Sequence, residues 1–352
     1  MKVLVAMSGG VDSSVAALIL RDQGHDVVGV TMRLWGGESD TGCCSVSDVD
    51  DARRVAQQLD IDHLVFNFSE EFNEHVVAPY IQAHVDGITP NPCIECNRHL
   101  KFDRLIERGR ALGFDAVATG HHARIEPSAG GELRVVRGED PKKDQSYVVH
   151  MLKEDDLAYT LFPVGQMNKS EVREIAHRHG LRTAGKPDSQ DVCFIGSTSG
   201  REGFLGSRIA FRSAEVVDTD GVAAGQVDAV ELVTVGQRRG LNLGGGPTRY
   251  VLDVDVPNQK VVIGQEQDLY VNSIMLNRLS WPYQKDAVNL PTTILVQGSA
   301  HGARFEGTLS LVDKNMARVD WKTPQKKIAP GQTVVFYDVS DRFVLGGGVI
   351  TR

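Results

Sequence analysis

Residues 7–14 of the chain read Met7-Ser8-Gly9-Gly10-Val11-Asp12-Ser13-Ser14. The apolar run before them predicts a short buried β-strand that ends at Ala6, and the Ala-rich apolar run at 15–20 predicts a helix. Paired glycines let a backbone turn tightly and approach a ligand closely. The helix would direct its unpaired N–H groups and the positive end of its dipole at that turn. A strand, a glycine turn and a helix in this order predict a phosphate-binding loop.

The side chains of the loop support the same interpretation. Ser8, Ser13 and Ser14 add hydroxyl donors, and Asp12 could orient donors or hold a magnesium ion. The loop lacks the lysine of the motif G-x-x-x-x-G-K-S/T and the spacing of G-x-G-x-x-G. An ordinary turn before a helix is the alternative, because Ser and Asp are common at helix N-caps. The whole string from Ser8 to Ser14 nevertheless resembles the pyrophosphatase-type loop of enzymes that cleave ATP between its α- and β-phosphates.

Length and composition limit the class of protein. A chain of 352 residues predicts two or three domains, and 41% hydrophobic with 24% charged residues is typical of globular proteins. The sequence has no apolar run of the roughly 18–20 residues that cross a bilayer, and its start lacks the pattern of a signal peptide. We therefore expect a cytoplasmic protein without a membrane partner. Five cysteines, an odd number, do not predict a disulfide framework.

Charge is distributed unevenly along the chain. The formal net charge is −8, which argues against a protein that coats nucleic acid non-specifically. Residues 271–352 nevertheless carry ten Lys/Arg and six Asp/Glu, a balance of +4, so the first 270 residues carry −12. This asymmetry permits a local contact with a polyanion at the C-terminal end. A solvated loop around Lys322, Lys326 and Lys327 is the alternative interpretation.

The first part of the chain alternates apolar runs with helical patterns. Strands are predicted at 27–32, 64–66 and 116–119, and helices at 48–59 and 102–112. Such alternation predicts an α/β fold, a doubly wound parallel sheet with helices on both faces. Ligands bind at the carboxyl ends of the strands in such sheets. The glycine loop, Met32, residues 67–69 and Gly120 are therefore expected to converge.

The remainder predicts more helix and then two β-rich domains. Residues 145–179 have a helical pattern, and Gly and Ser at 196–206 indicate a boundary. The turn Thr219-Asp220-Gly221 predicts a hairpin, with further strands at 233–235, 250–254 and 260–264. Short strands and Gly/Pro turns near the end predict a small β-barrel. The predicted domains are an ATP-binding and catalytic domain at 1–200, a small β-rich central domain at 201–268 and a C-terminal barrel at 269–352.

Two separated cysteine sites are the second chemical signal. Cys93 and Cys96 follow Pro90 and Pro92, and these prolines predict a structured loop with no helix before Asn97. On that prediction Cys96 lies near a helix N-terminus, which would stabilise its thiolate. Cys193 lies almost one hundred residues later, in a polar approach to a short apolar run. Adjacent Cys43 and Cys44 are either ordinary loop thiols or ligands.

The pair C-x-x-C has two interpretations. It could be half of a structural zinc site, but no second pair of the standard spacing follows. An ATP loop combined with two separated thiols suggests instead that one thiol carries sulfur as a persulfide. The other thiol then relieves it through a disulfide.

Seven ordered segments make the resemblance specific: the chain resembles the tRNA-specific 2-thiouridylases, bacterial enzymes that place sulfur on the wobble uridine of certain tRNAs. The matching segments run from one end of the chain to the other. They are residues 6–14, Asn91-Pro92-x-x-x-Cys96-Asn97, Ala118-Thr119-Gly120-His121, Lys143-Asp144-Gln145-Ser146-Tyr147, Cys193-Phe194-Ile195-Gly196, Thr234-Val235-Gly236-Gln237-Arg238-Arg239-Gly240-Leu241 and Pro330-Gly331-Gln332.

The resemblance implies ATP-dependent 2-thiolation of uridine 34, with roles for particular residues. Cys96 takes the position of the family's nucleophile, and Cys193 that of the persulfide carrier, which later forms a transient disulfide with Cys96. The implied ATP-binding residues, to which Mg²⁺ is added, are Ala6, Met7, Ser8, Gly9, Gly10, Val11, Asp12, Ser13, Ser14, Met32 and Gly120. The implied tRNA-binding residues are Asn91, Pro92, Cys93, His121, Lys143, Asp144, Gln145 and Gln332.

The resemblance also implies two macromolecular partners. One is tRNA, whose anticodon arm the barrel would grip and whose uridine must leave the base stack to be reached. The other is a protein that donates persulfide sulfur.

Two positions depart from the family's pattern. Cys93 stands where many members have Asp, which puts the proposed proton-transfer role of that position in doubt. The cysteines Cys93, Cys96 and Cys193 could instead hold an iron–sulfur cluster with one iron open for sulfide. At Gly298-Ser299-Ala300-His301 a basic–aromatic pair common in the family is missing, so those tRNA contacts are not carried over.

Two other functions remain open on the sequence. One is a ligase that adenylates a small carbonyl substrate and lets ammonia attack it, which would need neither Cys96 nor Cys193. The other is a non-enzymatic adenine-nucleotide sensor with an RNA-binding barrel. If replacement of either cysteine abolishes thiolation of tRNA, the 2-thiouridylase function is favoured over both of these alternatives.

Overall fold

The computed structural model describes residues 1–35, 46–188, 192–195, 200–241, 243, 246–287 and 292–352. Cys43 and Cys44 lie outside these residues. Within them, no helix is both long and apolar enough to cross a membrane.

A five-stranded parallel sheet forms the centre of the N-terminal domain. Its strand order is β3-β2-β1-β4-β7. The strands of this domain, including a separate hairpin β5–β6, are β1 (Lys2–Ala6), β2 (Asp26–Arg33), β3 (Asp62–Asn67), β4 (Ala116–Ala118), β5 (Ala123–Pro127), β6 (Leu133–Arg137) and β7 (Thr160–Leu161). The predicted α/β class and its first four strands are confirmed.

Helices cover both faces of this sheet. The α-helices are α1 (Val11–Asp22), α2 (Val46–Leu59), α3 (Ser69–Phe72), α4 (Ala78–Val85), α5 (Pro92–Cys96), α6 (Leu105–Ala111), α7 (Glu154–Ala158), α8 (Lys169–Arg178) and α9 (Gly200–Gly206). Wider π-helical turns at Asn73–Val77 and Asn97–Arg104 join α3 to α4 and α5 to α6, and 3₁₀ turns occupy Ser146–Val149 and Arg182–Gly185.

Side-chain alternation along β1 explains the two layers. Val3 and Val5 pack with α1, α2 and α8 in one apolar cluster, whereas Leu4 and Ala6 pack in a second cluster with α3 to α6. Successive side chains of a strand point to opposite faces, so a strand that is apolar throughout needs helices on both sides.

Two predictions about the N-terminal domain are wrong. Residues 145–179 are not continuously helical, because β7 at Thr160–Leu161 adds a fifth parallel strand beside β4. The helix that carries the cysteines begins at Pro92 and not at Asn97. Proline at the first helical position is tolerated because the N–H that it lacks has no partner there anyway. The side chain of Asn91 then accepts a hydrogen bond from the N–H of Cys93.

The central domain is a four-stranded sheet of order β10-β11-β8-β9. Its strands are β8 (Ala214–Val217), β9 (Ala223–Val227), β10 (Tyr250–Asp255) and β11 (Lys260–Gly264), with a 3₁₀ turn at Val230–Leu232. The hairpin turn at Gly221, whose φ is +81°, is confirmed. The strand predicted at 233–235 is wrong, since these residues form a loop, and the following Gly236 and Gln237 are the residues that exchange hydrogen bonds with Val251 of β10.

The last part of the chain is a closed antiparallel barrel, as predicted. Its strand order is β12-β15-β14-β13-β16-β17, and β17 pairs with β12 to close it. The strands are β12 (Tyr270–Ser280), β13 (Thr293–Gln297), β14 (Arg304–Leu311), β15 (Ala317–Lys326), β16 (Thr333–Tyr337) and β17 (Val344–Ile350).

All three parts of the chain meet at Thr89. Its N–H donates to Pro330 O of the barrel at 2.9 Å, and its hydroxyl donates to the Thr234 hydroxyl of the central domain at 3.4 Å. Gln332 Nε2 donates to Thr89 O at 2.7 Å. The segment that leads into α5 is therefore held by both other domains.

Candidate functional site

The glycine loop has the geometry of an anion-binding turn. β1 ends at Ala6, Gly9 has a φ of +69°, and Gly10 in extended backbone precedes α1. The Ser13 and Ser14 hydroxyls donate to Gly10 O at 3.2 and 2.8 Å, and Ser8 N–H donates to Ser13 Oγ at 3.2 Å. The serines therefore shape the loop, and the start of α1 supplies the N–H groups and the dipole.

The expected convergence of strand ends on this loop is confirmed. A Cβ atom at Gly120 would lie 2.5 Å from Ser13 N, so only glycine lets the turn after β4 approach the loop so closely. Thr31, beside the predicted nucleotide contact Met32, donates its hydroxyl to Met7 O at 2.8 Å. The carboxyl ends of β1, β2 and β4 therefore meet at one edge of the sheet.

A lysine that the loop motif lacks reaches it from another element. Lys169, the first residue of α8, places Nζ 2.7 Å from both carboxylate oxygens of Asp12. His122 Nε2 lies 3.0 Å from Asp12 Oδ1. Burial by itself raises the pKa of Asp12, but the hydrogen bonds from His122 and Lys169 outweigh it and hold this pKa below its ordinary value.

The sequence did not mark Lys169 as a residue of the loop, because its role depends on contacts made only in the folded chain. A cation in the first turn of a helix opposes the helix dipole, and a lysine there that is 8% exposed must have a strong partner. Asp12 and Asp188 are those partners.

Asp188 connects the glycine loop, through Lys169, to Lys143, which is a predicted tRNA-binding residue. Its carboxylate accepts hydrogen bonds from Lys143 Nζ at 2.7 Å and from Arg173 Nη2 at 2.8 Å, and it lies 2.9 Å from Lys169 Nζ. Burial raises the pKa of Asp188, but the hydrogen bonds and charges of Lys143 and Lys169 outweigh it and lower this pKa to about 2. A continuous chain of ion pairs thus runs from Lys143 to Asp12.

The side chains of three other predicted tRNA-binding residues form hydrogen bonds within the protein. His121 is 7% exposed, with Nδ1 2.7 Å from the Thr119 hydroxyl, and burial lowers its pKa well below the ordinary value. Asp144 is buried and accepts from Arg137 at 2.7 Å, and Gln145 Oε1 accepts from His122 N–H at 2.8 Å. Their side chains hold the segment in place, and the side chain of the neighbouring Lys143 is 34% exposed.

Helix α5 sets the positions of the two neighbouring cysteines. Because the helix begins at Pro92, Cys93 lies in its first turn and is exposed, while Cys96 lies at its end and is buried. The prediction that the helix starts just after Cys96 is therefore wrong, and it is Cys93 that lies in the first turn. Glu95, between them, is 2.8 Å from Arg278 of the barrel.

A cleft of about 600 Å³ opens beside α5, between the N-terminal domain and the barrel. Asn91, Pro92 and Glu95 line one side, and Arg278 and Gly331 the other. Its volume lies within the range of small-ligand sites. Asn91 and Pro92, two of the predicted tRNA-binding residues, thus lie at this cleft.

Cys193 approaches the same apolar core that contains Cys96. Cys193 is partly buried against the cluster that includes Ala6, Met32 and Cys96. The neighbouring Phe194 is 1% exposed and packs on Tyr80 at a ring-centroid distance of 5.3 Å. The segments that carry Cys96 and Cys193 thus pack in the same apolar core as residues of β1 and β2.

The cysteine arrangement does not fit an iron–sulfur cluster. In the part of the chain that the structure describes, no three His, Cys, Asp or Glu side chains form a group that could hold a metal ion. The suggested trio of Cys93, Cys96 and Cys193 is therefore not assembled as a ligand set.

Comparison with protein families covers almost the whole chain. Three family models match, described as the tRNA methyl transferase HUP domain at residues 1–197, the tRNA methyl transferase PRC-barrel domain at 202–265 and the aminomethyltransferase beta-barrel domain at 271–350. These descriptions name the domains and carry no conclusion about methyl transfer.

One solved structure with partial similarity is the U34-tRNA thiolase NcsA from Methanococcus maripaludis with its 4Fe-4S cluster. It is 16% identical and covers 55% of this chain and 61% of its own, with a TM-score of 0.37. Similarity this low supports no conclusion about fold, cluster or activity.

Curated relatives are similar over their full length. The tRNA-specific 2-thiouridylase MnmA of Roseiflexus castenholzii is 41% identical over 376 residues, covering 100% of this chain and 99% of the relative. The enzyme of the same name from Clostridium beijerinckii is 41% identical over 356 residues, covering 99% of this chain and 98% of the relative. With these matches and the seven motif segments, the chain belongs to the tRNA-specific 2-thiouridylase family.

Proposed function

We propose that this protein is a tRNA-uridine 2-sulfurtransferase, which uses ATP to convert the wobble uridine, position 34, of tRNA to 2-thiouridine. The observation that carries the proposal is the shared core of Cys96, Cys193 and the strand ends of the glycine loop. An aminating ligase or a nucleotide sensor has no use for two thiol segments at that core. The names of the full-length relatives support the same activity.

The first step activates the uridine. ATP binds at residues 6–14 with Met32 and Gly120, and the C2 oxygen of the uridine attacks the α-phosphorus. Pyrophosphate leaves, and C2 now carries AMP, a good leaving group. Lys169 and the start of α1 offer positive charge to the phosphates. Asp12 would hold Mg²⁺, which would neutralise phosphate charge when bound.

The second step transfers sulfur. A persulfide on Cys193, supplied by a sulfur-donor protein, attacks C2 through its terminal sulfur, and the bond from C2 to the AMP oxygen breaks. The Cys96 thiolate then attacks Cys193 Sγ. The persulfide S–S bond breaks, its electron pair stays on the sulfur at C2, and a Cys96–Cys193 disulfide forms. A thiol reductant restores both cysteines.

Binding of tRNA uses the cleft and the segments around it. Asn91 and Pro92 at the cleft, with Cys93 next to them in the chain, contact the tRNA, and Lys143, Gln145 and Gln332 belong to the segments that contact the anticodon arm. His121 and Asp144 position these segments from buried sites. We place the reaction in the cytoplasm, where unmodified tRNA and persulfide donors are found.

The test measures 2-thiouridine in tRNA by mass spectrometry after incubation with ATP and a persulfide source. We expect Cys96→Ala and Cys193→Ala each to abolish the product while ATP binding survives. Cys44→Ala, which removes a thiol without a proposed role, is the matched control and should retain activity. Thiolation by both variants would refute the persulfide mechanism, and absence of 2-thiouridine with the wild-type protein would refute the function.

A further inference from the structure

The family motif at 234–241 contributes residues that the proposed reaction does not use. It lies in the loop between the 3₁₀ turn Val230–Leu232 and β10 of the central domain. Arg238 and Arg239 are exposed, and Arg249 at the other end of the loop is partly buried. Arg238 and Arg249 line a polar pocket of about 660 Å³.

These three arginines differ from the cations of the barrel. Barrel cations are largely engaged in ion pairs, for example Arg278 with Glu95 and Lys322 with Glu306, both at 2.8 Å. Among the described residues, no carboxylate pairs with Arg238, Arg239 or Arg249. The excess charge of the barrel is thus mostly neutralised inside the molecule, while that of this loop is available to a ligand.

Asp218 is an acid that lines the pocket, but within the described residues it forms no ion pair with these arginines. Its Oδ1 accepts hydrogen bonds from the N–H groups of Asp220 and Val222 at 3.0 and 2.9 Å. Its charge is therefore directed into the β8–β9 turn.

The loop holds its arginines in a defined turn. The Gln237 side chain accepts from Thr234 N–H at 3.0 Å and donates to Arg239 O at 2.8 Å. Gly236 and Gly240 have φ values of +86° and +73°, conformations that suit glycine. A turn braced on both sides of Arg238 lowers the entropy lost when a ligand binds.

The loop also starts next to the entrance of the proposed reaction site. Thr234 contacts Thr89, which lies two residues before Asn91 at the cleft. Arg238 is the fourth residue after Thr234, so their Cα atoms lie within about 14 Å. An RNA whose base enters the cleft has its backbone within reach of this loop.

We propose that Arg238, Arg239 and Arg249 of the central domain bind phosphate groups of the tRNA backbone. The inference rests on the proposed function, because it takes tRNA as the substrate. Guanidinium groups match phosphate oxygens with paired N–H donors. Such contacts orient the RNA without reading its sequence, and this assigns the central domain a part in holding the substrate.

The experiment measures the Kd of full-length protein for an unmodified tRNA over a series of salt concentrations. Arg238→Ala/Arg249→Ala should weaken binding by roughly tenfold to a hundredfold at low salt. It should also lower the slope of log K against log salt by about one to two. Lys260→Ala, which removes an exposed cation of the same domain outside the pocket lining, should bind as the wild type does.

A charge-retaining variant separates electrostatics from folding. Arg238→Lys/Arg249→Lys should keep most of the salt slope, and the ATP affinity and melting temperature of all variants should match the wild type. If the alanine variant equals Lys260→Ala in Kd and slope, or if the lysine variant loses the slope as well, the inference is wrong. A wild-type protein that fails to bind tRNA would instead overturn the proposed function.

Discussion

Gly9 has the strictest steric requirement among the loop glycines. Its φ is +69°, and a Cβ atom there would lie 2.5 Å from the backbone oxygen of Asp48 in α2. Gly10 beside it has an extended backbone, and a Cβ atom would meet only the Ser8 hydroxyl at 3.4 Å. The two glycines are therefore not equivalent: Gly9 lets the loop lie against α2, and Gly10 starts the helix.

This difference gives a prediction with an internal control. Gly9→Ala should destabilise the protein by about 1–2 kcal/mol through the left-handed conformation alone, and it should weaken ATP binding at least about tenfold. Gly10→Ala should leave the thermal stability nearly unchanged, because a Cβ atom there meets no backbone. Thermal unfolding and titration with ATP measure the two effects, and equal behaviour of the two variants would contradict this account of the loop.

At the scale of elements, the helical segment from Pro92 to Ala111 joins the cysteines to the barrel. It combines α5, a π-helical turn and α6, and it starts at the cap formed by Asn91. Glu95 contacts Arg278, and His99 lies between Glu95 and Asp103. Hydrogen bonds to Asp103 and Glu95 raise the pKa of His99 to about 9, so this face of the helix is an ion-pair network at neutral pH.

The cap predicts how α5 responds to mutation. Asn91→Ala removes the side-chain acceptor of Cys93 N–H and should cost about 1 kcal/mol of local helix stability. Hydrogen exchange of the amides at 93–96 should then be about fivefold faster. Asn91→Asp keeps an acceptor and should retain the protection. Unchanged exchange in the alanine variant would show that the cap does not stabilise α5.

At the scale of the whole molecule, two buried histidines lie where the domains meet. His84 Nδ1 is 3.0 Å from Glu231 O of the central domain. His150 touches the barrel, since a Cβ atom at Gly347 would lie 2.8 Å from its ring. Burial lowers the pKa of each to about 4, and the charge of Arg201 near His84 and of Arg98 near His150 acts in the same direction.

These shifts predict that the assembled molecule is sensitive to acid. In the unfolded chain both histidines take up a proton near pH 6.5, whereas in the folded protein they do so only near pH 4. The unfolded state therefore binds more protons between these values, and stability falls as the pH is lowered from about 7 toward 4.

Thermal unfolding at a series of pH values checks this prediction. The melting temperature should fall by several degrees between pH 7 and pH 5. His84→Gln and His150→Gln should each melt lower at pH 7 but show a shallower dependence on pH. His177→Gln, on the exposed face of α8, serves as control. A variant slope equal to that of the wild type would contradict the role of these two histidines.

Local signals in the sequence determined the elements and the residues of the loop. The glycine loop, four parallel strands, the Gly221 hairpin and the closed barrel were all predictable, because periodicity and turn residues report on short stretches of chain. The resemblance added the family and the particular roles of Cys96 and Cys193, and the domain boundaries stay a prediction.

Only the tertiary structure decided which distant residues share a site. Helix α5 can start at Pro92 because the side chain of Asn91 caps it, and the prolines in the sequence do not predict this cap. The two residues of β7 form a strand only because they pair with β4. Lys169, Asp188 and Asp12 meet across more than 150 residues of sequence. A pattern of apolar residues indicates which face of a helix or strand is buried, but it does not indicate which charged residue from a distant part of the chain will lie next to that element. For that reason the sequence did not show that Lys169 supplies the lysine that the loop motif lacks.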